Sequence, residues 1–449
     1  TFCLDMSKED TIVAISTAHG NAAVGIIRIS GTNVKKIMSD YSWQLSPRLV
    51  KYVKLKNEKG DTFDDALLIF FEAPSSYTGE DMLEIQMHGN SHLLEYFQKE
   101  LCKKYTRLAN PGEFTERAFL NNKIDLVQAE AVMDLINSNN SNSAVAAQRS
   151  LQGAFSDKIS MLKKDLLEIR MKIEATINFP EDETSNSEPN DLSVVLQRLS
   201  ERFSDIILQS ESGIKLNNNL VVTILGRPNA GKSSLSNTLL GENCSIVSSE
   251  AGTTRDILRN NLMLGSNVVT LLDTAGLRDG KSEVEDLGIE LSFEASSKSD
   301  LVLYVIDVTE GITTDDNKYI EKLPANCWII YNKIDLTKES SKKEVMNNRN
   351  IFYVSALDGQ GMDLIRDEIS SLKSIDISDG LTTARQRHVD SLSEALKHLY
   401  NSIQYNDNQQ LDIVAEELRL AHVCLETILG GDVSEELLDA IFSEFCIGK

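Results

Sequence analysis

Positive charge is scarce in this chain. Its 449 residues hold 45 Lys plus Arg against 68 Asp plus Glu, a formal net charge of −23, which excludes a basic surface spread over the whole molecule for gripping nucleic acid. Any RNA or DNA contact has to be local. Long apolar runs are missing as well: the longest, such as Leu301 to Ile306, have the length of buried strands and fall short of the roughly 18 to 20 residues that span a bilayer. Cysteine is sparse and scattered. Cys3, Cys102, Cys244, Cys327, Cys424 and Cys446 form no Cys-x-x-Cys pair and no Cys/His group at zinc spacing, the usage of a reducing cytoplasm. The chain starts at Thr1, and its first residues lack the basic region and apolar core of a signal peptide, so export is not expected.

What is present is enough for about three domains at roughly 150 residues each, since 41% apolar residues can give each a core. Acidity is uneven. Residues 1–123 carry 15 basic and 16 acidic groups, whereas residues 375–449 carry 5 and 14. The first segment mixes β-rich runs (Thr11 to Ala14, Gly25 to Ser30, Ala66 to Phe71, Met82 to Met87) with a helix near His92 to Lys104, which predicts an α+β domain. From Leu126 apolar residues recur every three or four positions, as in Ile159, Leu162, Leu166, Ile169, Ile173 and Ile177, or Val195, Leu199, Phe203 and Ile206. Phe179 to Asp191, with Pro180, Pro189 and five acidic groups, reads as a solvated loop. Helical texture returns after residue 380, and between the helical blocks strands alternate with helices as in a parallel sheet. The expected fold class is multidomain α+β and α/β: an α+β domain over 1–123, a discontinuous all-α domain over 124–219 and 375–449, and an inserted P-loop α/β domain over 220–374.

The buried run Leu220 to Leu225 feeds Gly226-Arg227-Pro228-Asn229-Ala230-Gly231-Lys232-Ser233 and then a helical stretch. In that context a glycine-rich loop lets backbone N–H groups close round phosphates, Lys232 reaches the terminal phosphates, and the Ser233 hydroxyl can ligate Mg²⁺. A second strand ends in Asp273-Thr274-Ala275-Gly276, where a carboxylate can hold the magnesium shell and Gly276 can approach the γ-phosphate. Trp328 to Tyr331 leads to Asn332-Lys333-Ile334-Asp335, and Phe352 to Val354 leads to Ser355-Ala356-Leu357. A carboxylate at Asp335 accepts from guanine N1–H and its 2-amino group, neither of which adenine offers, so the pocket should prefer guanine. This segment resembles the translation-factor-like GTPases, and Gly252-Thr253-Thr254-Arg255-Asp256 fits their first switch, with Thr254 closing on Mg²⁺ beside Ser233. The expected GTP site comprises Asn229, Ala230, Gly231, Lys232, Ser233, Ser234, Ser248, Thr253, Thr254, Asp273, Thr274, Ala275, Gly276, Asn332, Lys333, Asp335, Ser355, Ala356 and Leu357.

The glutamine that orients water in Ras-like enzymes is replaced by Leu277, so the catalytic group must come from elsewhere. Glu283-Val284-Glu285-Asp286 supplies candidates, although the same run also reads as a solvated helix face.

Three further stretches, Val24 to Ser30, Tyr77 to Gln86 and Asn110 to Lys123, together with the terminal Phe445-Cys446-Ile447-Gly448-Lys449, are similar over essentially the whole length to the bacterial MnmE (TrmE) family of tRNA-modification GTPases. The resemblance implies potassium-activated hydrolysis that requires the G domains of two subunits to meet, with Glu285 positioning the water. It implies potassium contacts at Asn229, Ser248, Glu250 and Thr253, where the cation would replace an arginine finger. The N-terminal domain is implied to resemble tetrahydrofolate-binding modules and to hold 5-formyl-tetrahydrofolate through Arg28, Glu84, Lys123 and Lys449. Cys446 is implied as a catalytic residue, and its place beside a Gly and a Lys suggests a flexible, electropositive setting suited to a reactive thiol.

The implied activity is modification of C5 of the wobble uridine, position 34, of certain tRNAs by a homodimer working with an MnmG (GidA)-like FAD protein in a heterotetramer. FAD would enter only through that partner, because no Gly-x-Gly-x-x-Gly fingerprint follows a strand here. A non-enzymatic GTPase switch or scaffold in ribosome assembly shares residues 220–374 equally well and differs at the ends of the chain. His88 and His92 stand four apart and could share a helix face, but no third ligand accompanies them.

Overall fold

The computed structural model describes residues 10–448 apart from 19, 58, 139, 179–188, 218, 242–257, 265–266, 274–298, 348, 373–380 and 432. The chain divides into two compact units, one of residues 1–136, 147–210 and 384–449 and the other of residues 137–146 and 211–383.

The first unit opens with β1 (Ile12–Ile15), β2 (Ala22–Ser30), α1 (Val34–Asp40), β3 (Val50–Lys56), β4 (Thr62–Phe71), β5 (Met82–Gly89), α2 (Ser91–Lys104), β6 (Arg107–Leu108) and α3 (Glu113–Leu120). The strands form one sheet in the order β3-β4-β5-β2-β1-β6. It is antiparallel except where β1 meets β6. Alternation sets its two faces: Leu83, Ile85 and Met87 of β5 are buried against Leu94, Phe97 and Leu101 of α2, while Glu84 and Gln86 lie on the opposite, partly exposed face. Asn90 ends the strand and starts α2, its side chain accepting from the N–H groups of His92 and Leu93. His88 and His92 therefore do not share a helix face. His88 is a strand residue whose ring Nδ1 lies 2.5 Å from Asp64 Oδ1. Among the described residues no group of three His, Cys, Asp or Glu side chains is placed to hold a metal ion.

Helices α4 (Leu126–Asn137), α5 (Ser141–Leu151), α6 (Ala154–Asn178) and α7 (Pro189–Asn217) follow. The expected loop from Phe179 lies outside the described residues as far as 188, and α7 begins at Pro189, a residue type suited to a first helical turn.

The second unit is built on β7 (Leu220–Gly226), α8 (Lys232–Leu240), β8 (Leu258–Leu264), β9 (Asn267–Asp273), β10 (Leu301–Asp307), α9 (Thr314–Lys322), β11 (Cys327–Asn332), α10 (Ile334–Thr337), β12 (Lys342–Met346), β13 (Arg349–Val354) and α11 (Met362–Leu372). Its sheet order is β12-β13-β11-β10-β7-β9-β8. The five inner strands are mutually parallel, as the apolar runs predict, and β10 is buried along its whole length. The two outer strands, β8 and β12, run antiparallel, so the sheet is mixed. Sequence reading missed both. β12 is the short, charged segment Lys-Lys-Glu-Val-Met, the composition of a solvated edge.

The chain then returns to the first unit with α12 (Gln386–Asp407), α13 (Leu411–Leu429) and α14 (Glu435–Ser443). One core joins Leu162, Leu166 and Ile173 of α6, Leu196, Leu199 and Phe203 of α7, Leu392 and Leu399 of α12, and Val414, Leu418 and Leu425 of α13. The two helical blocks thus bury one another's stripes. One position differs from expectation: Val195 is exposed and Leu196 takes its place in the core, because the 3.6-residue period from Leu199 back to Leu192 runs through 196.

An ionic knot secures the return point. Glu130 of α4 is buried and accepts from Arg387 Nε and Nη2, each at 2.7 Å, while His388 Nε2 lies 2.9 Å from its Oε2. The Arg385 N–H donates to His388 Nδ1, so the imidazole proton sits on Nε2 and is given to Glu130. Arg387 also donates to the carbonyls of Thr427 and Ile428, which satisfies the last turn of α13. Burial raises the Glu130 pKa, but the hydrogen bonds from His388 and Arg387 and the Arg387 charge outweigh it and hold the group down at about 2.

Removing the carboxylate in Glu130→Ala leaves the buried His388 Nε2–H without its acceptor and the partly exposed Arg387 guanidinium with only backbone carbonyls, and chemical denaturation should register a loss of about 1–3 kcal/mol. Since the folded group titrates below its ordinary 4.5, this stabilisation is complete above that value and is lost as the pH falls towards 2. The gap between wild type and Glu130→Gln should close over that window, and a pH-independent gap would contradict the assignment.

Candidate functional site

Parallel strands end on the same side, and the register of the second unit uses this. Gly226 pairs with Val305, Asp307 with Asn332, and Asn332 with Val354, while Asp273 closes β9 opposite Ile224. The segments after β7, β11 and β13, and the last residue of β9, are thereby delivered to one edge, where open α/β sheets bind their ligands.

The loop after β7 turns at Asn229, which takes a left-handed φ of +62°. Gly231, at φ +95°, precedes α8, and a Cβ there would stand 2.1 Å from Asn332 Nδ2. Only glycine fits this approach. Lys232 is buried, and its ammonium donates to the carbonyls of Gly226 (2.8 Å) and Arg227 (2.7 Å), which holds it inside the loop. Ser233 and Ser234 are exposed in the first turn of α8, where N–H groups and the helix dipole favour an anion. The residues present therefore fit a nucleotide's phosphates, with the Ser233 hydroxyl open to a magnesium ion.

Asn332 ties three segments together. Its side chain donates to the Ala230 carbonyl (3.0 Å) and accepts from the Ala356 N–H (2.9 Å). Ser355 is buried and its hydroxyl donates to Asp335 Oδ1 at 2.7 Å, which orients the carboxylate expected to read the base. Leu357, by contrast, is 81% exposed.

Sequence reading missed two supports. Lys333, at φ +71°, donates to Asp307 Oδ2 at 2.7 Å, and Arg227 reaches buried Asp316 at 3.2 Å and Glu310 at 3.0 Å. Burial raises the Asp307 pKa, but hydrogen bonds from Lys333 and Thr309 more than offset it and keep the carboxylate ionised. The one legible signal was Thr313-x-x-Asp316, a capping box. Ser248, Glu250, Thr253, Thr254, Thr274, Ala275, Gly276 and Glu285 lie outside the described residues. Asp273 is described only as the end of β9.

A second constellation lies in the first unit. Arg28 on β2 and Glu84 on β5 are register partners, and Glu84 Oε1 accepts from Arg28 Nη2 (2.8 Å) and Nε (3.1 Å). The guanidinium lies 5.9 Å from the Tyr77 ring centroid and 5.8 Å from that of Phe114. Its Nη1 also reaches the Gly448 carbonyl at 3.5 Å. Lys123 is exposed and donates to the Pro74 carbonyl at 3.0 Å, and Lys449 is outside the described residues. The exposed Cys446 is not in a flexible tail as its neighbours suggested: the Gly112 N–H donates to its carbonyl at 3.5 Å, and Ile447 bridges to Pro111.

The profile described as "GTP-binding protein TrmE N-terminus" matches residues 11–123, and that described as "MnmE helical domain" matches residues 126–446. The chain belongs to the MnmE family of tRNA modification GTPases. The tRNA modification GTPase MnmE of Legionella pneumophila is 41% identical over 447 residues, covering 98% of this chain and 99% of its own length. That of Photobacterium profundum is 39% identical over 450 residues, with 98% and 99% covered. Among solved structures, Aquifex aeolicus Era bound to GDP and aluminium fluoride is 27% identical over 40% of this chain and 66% of its own, with a TM-score of 0.27. As an MnmE-family member the chain is a GTP hydrolase acting in tRNA modification. Among the described residues of this MnmE-family chain no helix is long and apolar enough to cross a membrane.

Because Asn332 holds both the phosphate loop and the segment after β13, Asn332→Ala should weaken GTP binding by about 10- to 100-fold. Isothermal titration with GTP checks this, and a wild-type affinity would show that the bridge does not organise the pocket.

Proposed function

We propose that the chain is a potassium-activated GTPase whose G domains meet across a homodimer, and that hydrolysis serves modification of C5 of the wobble uridine at position 34 of certain tRNAs with a tetrahydrofolate one-carbon unit. Within this reading the chain has three domains: residues 1–123, the helical domain of 124–219 with 375–449, and the G domain of 220–374. An MnmG (GidA)-like FAD protein completes a cytoplasmic heterotetramer.

The observation that carries the folate half is the opposed pair of charges on β2 and β5, flanked by two aromatic rings and by the backbone of the Cys446 segment. Both Arg28 bonds end on Glu84 Oε1, so the other carboxylate oxygen is suited to the N–H edge of a pterin, and Lys123 with Lys449 suits the glutamate tail. 5-Formyl-tetrahydrofolate or a related tetrahydrofolate supplies the carbon, and the chain's own part is to bind and orient it.

In the G domain, Ser233 and Thr254 hold magnesium, and Glu285 orients the attacking water where Leu277 cannot. Asn229, on an exposed turn at the mouth of the phosphate loop, is suited to a potassium ion shared with Ser248, Glu250 and Thr253. Such a cation supplies positive charge against the phosphates in the transition state.

GTP turnover measured in potassium and in sodium chloride tests this half. Wild type should turn over in potassium only, and Glu285→Ala should bind GTP yet lose turnover by about 100-fold or more; equal rates in the two salts, or wild-type turnover in the variant, would overturn it. For the whole reading, modification of unmodified tRNA by the full chain should require the flavoprotein, GTP and a tetrahydrofolate together. Product formed without the folate would refute the one-carbon role, and product formed without the flavoprotein would refute the partnership.

A further inference from the structure

An exposed thiol can act on a fixed target only if its backbone is held. Upstream of Cys446, Phe442 and Phe445 are buried with Leu126, Ala129 and Ile441, which anchors the segment in the first unit. Downstream, Gly448 has a φ of +96°, and a Cβ there would stand 2.6 Å from the Ile15 carbonyl and 3.1 Å from Ser16 Cα. The chain lies against the end of β1 at a distance only glycine permits. On the facing loop Gly112 has a φ of +67°, and a Cβ there would stand 2.7 Å from the Phe442 carbonyl and 3.0 Å from Phe445 Cβ.

Between these two close approaches the backbone makes the Pro111–Ile447 bridge and the Gly112 N–H to Cys446 carbonyl bond. The side chains of Cys446 and Ile447 remain exposed. The loop that bears Gly112 is itself braced. Glu113, buried to 0% exposure, accepts from the Asn110 N–H at 2.8 Å, from Arg107 at 2.6 and 2.7 Å, and from Arg117 at 2.8 Å. Burial raises its pKa, but these four bonds win and keep the carboxylate ionised.

We infer that Gly112 and Gly448 are positioning residues for tRNA modification: they clamp the Phe442–Gly448 segment to the N-terminal sheet of the same chain and so fix the backbone of Cys446, two residues before the Gly448 carbonyl that Arg28 reaches. The part played by Cys446 rests on the one-carbon reading above. The clamp rests on backbone geometry alone. A side chain at either glycine must push the two backbones apart and shift the thiol, and a displacement of about 1 Å at a reacting group is enough to cost catalysis heavily.

The test is amide hydrogen exchange of the C-terminal peptide in the full chain, followed by mass spectrometry. Gly60→Ala is the control, because Gly60 has a φ of +86° but nothing within 4 Å of its would-be Cβ. It carries the same backbone strain without the close approach. In Gly112→Ala and Gly448→Ala the peptide should exchange about tenfold faster or more, with Gly60→Ala unchanged. In the reconstituted reaction both clamp variants should lose about tenfold or more in modification kcat, while GTP turnover and KM for GTP stay at wild-type values.

Gly448→Ala lies beyond every helix and keeps the test valid even where Gly112→Ala fails to fold. Wild-type exchange in Gly448→Ala would overturn the clamp, as would equally fast exchange in Gly60→Ala. Fast exchange with a wild-type modification rate would overturn the positioning role. A protected tail in a wild-type protein that binds no tetrahydrofolate would remove the one-carbon reading and leave the clamp standing.

Discussion

The parallel alignment of five strands is the constraint on which the nucleotide site depends. Backbone hydrogen bonds fix Gly226 beside Val305 and Asp307 beside Asn332, and a slip of one residue would turn every side chain to the other face. With that register in place, segments separated by a hundred residues of sequence finish at one edge. Asn332 can then accept from one loop and donate to another. The site is built from backbone groups as much as from side chains, which is why Gly231 cannot carry a Cβ there.

The first unit is held by a different principle. Its helices come from two blocks of sequence with the α/β segment between them, and neither block buries its apolar stripe alone. Packing Leu162, Leu199, Leu399 and Leu418 into one core brings residues 384–449 back against the start of the chain. Two buried carboxylates fix the seams. Glu130 collects Arg387 and His388, and Glu113 collects Arg107 and Arg117. Each carboxylate oxygen has at least one donor, the condition under which a buried charge is tolerated.

Acidity takes on a narrower meaning once the sites are located. The segment that bears Arg28 and Glu84 is close to neutral, with 15 basic and 16 acidic residues over 1–123, while the excess of negative charge belongs to the rest of the chain. A tRNA substrate is therefore not at odds with a net charge of −23. A tight grip by counterion release over a broad surface is.

Local pattern alone determined a good deal. Strand runs, helical stripes, the glycine-rich loop and the Asn-Lys-x-Asp segment are written in nearest-neighbour spacing, because strand and helix periods and loop chemistry are properties of short stretches. They yielded the multidomain architecture and the nucleotide loop, with small errors where a period is ambiguous, as at Val195 and Leu196, or where an edge strand is too polar to stand out, as at Lys342–Met346. Tertiary structure decided what distant residues do to one another. Nothing in the sequence near Lys333 names Asp307 as its partner, nothing near Glu130 names Arg387, and the setting of Cys446 looked loose until Gly112 and Gly448 were seen against the backbones they approach. These contacts join residues at least 26 positions apart, and their geometry exists only after the chain has packed.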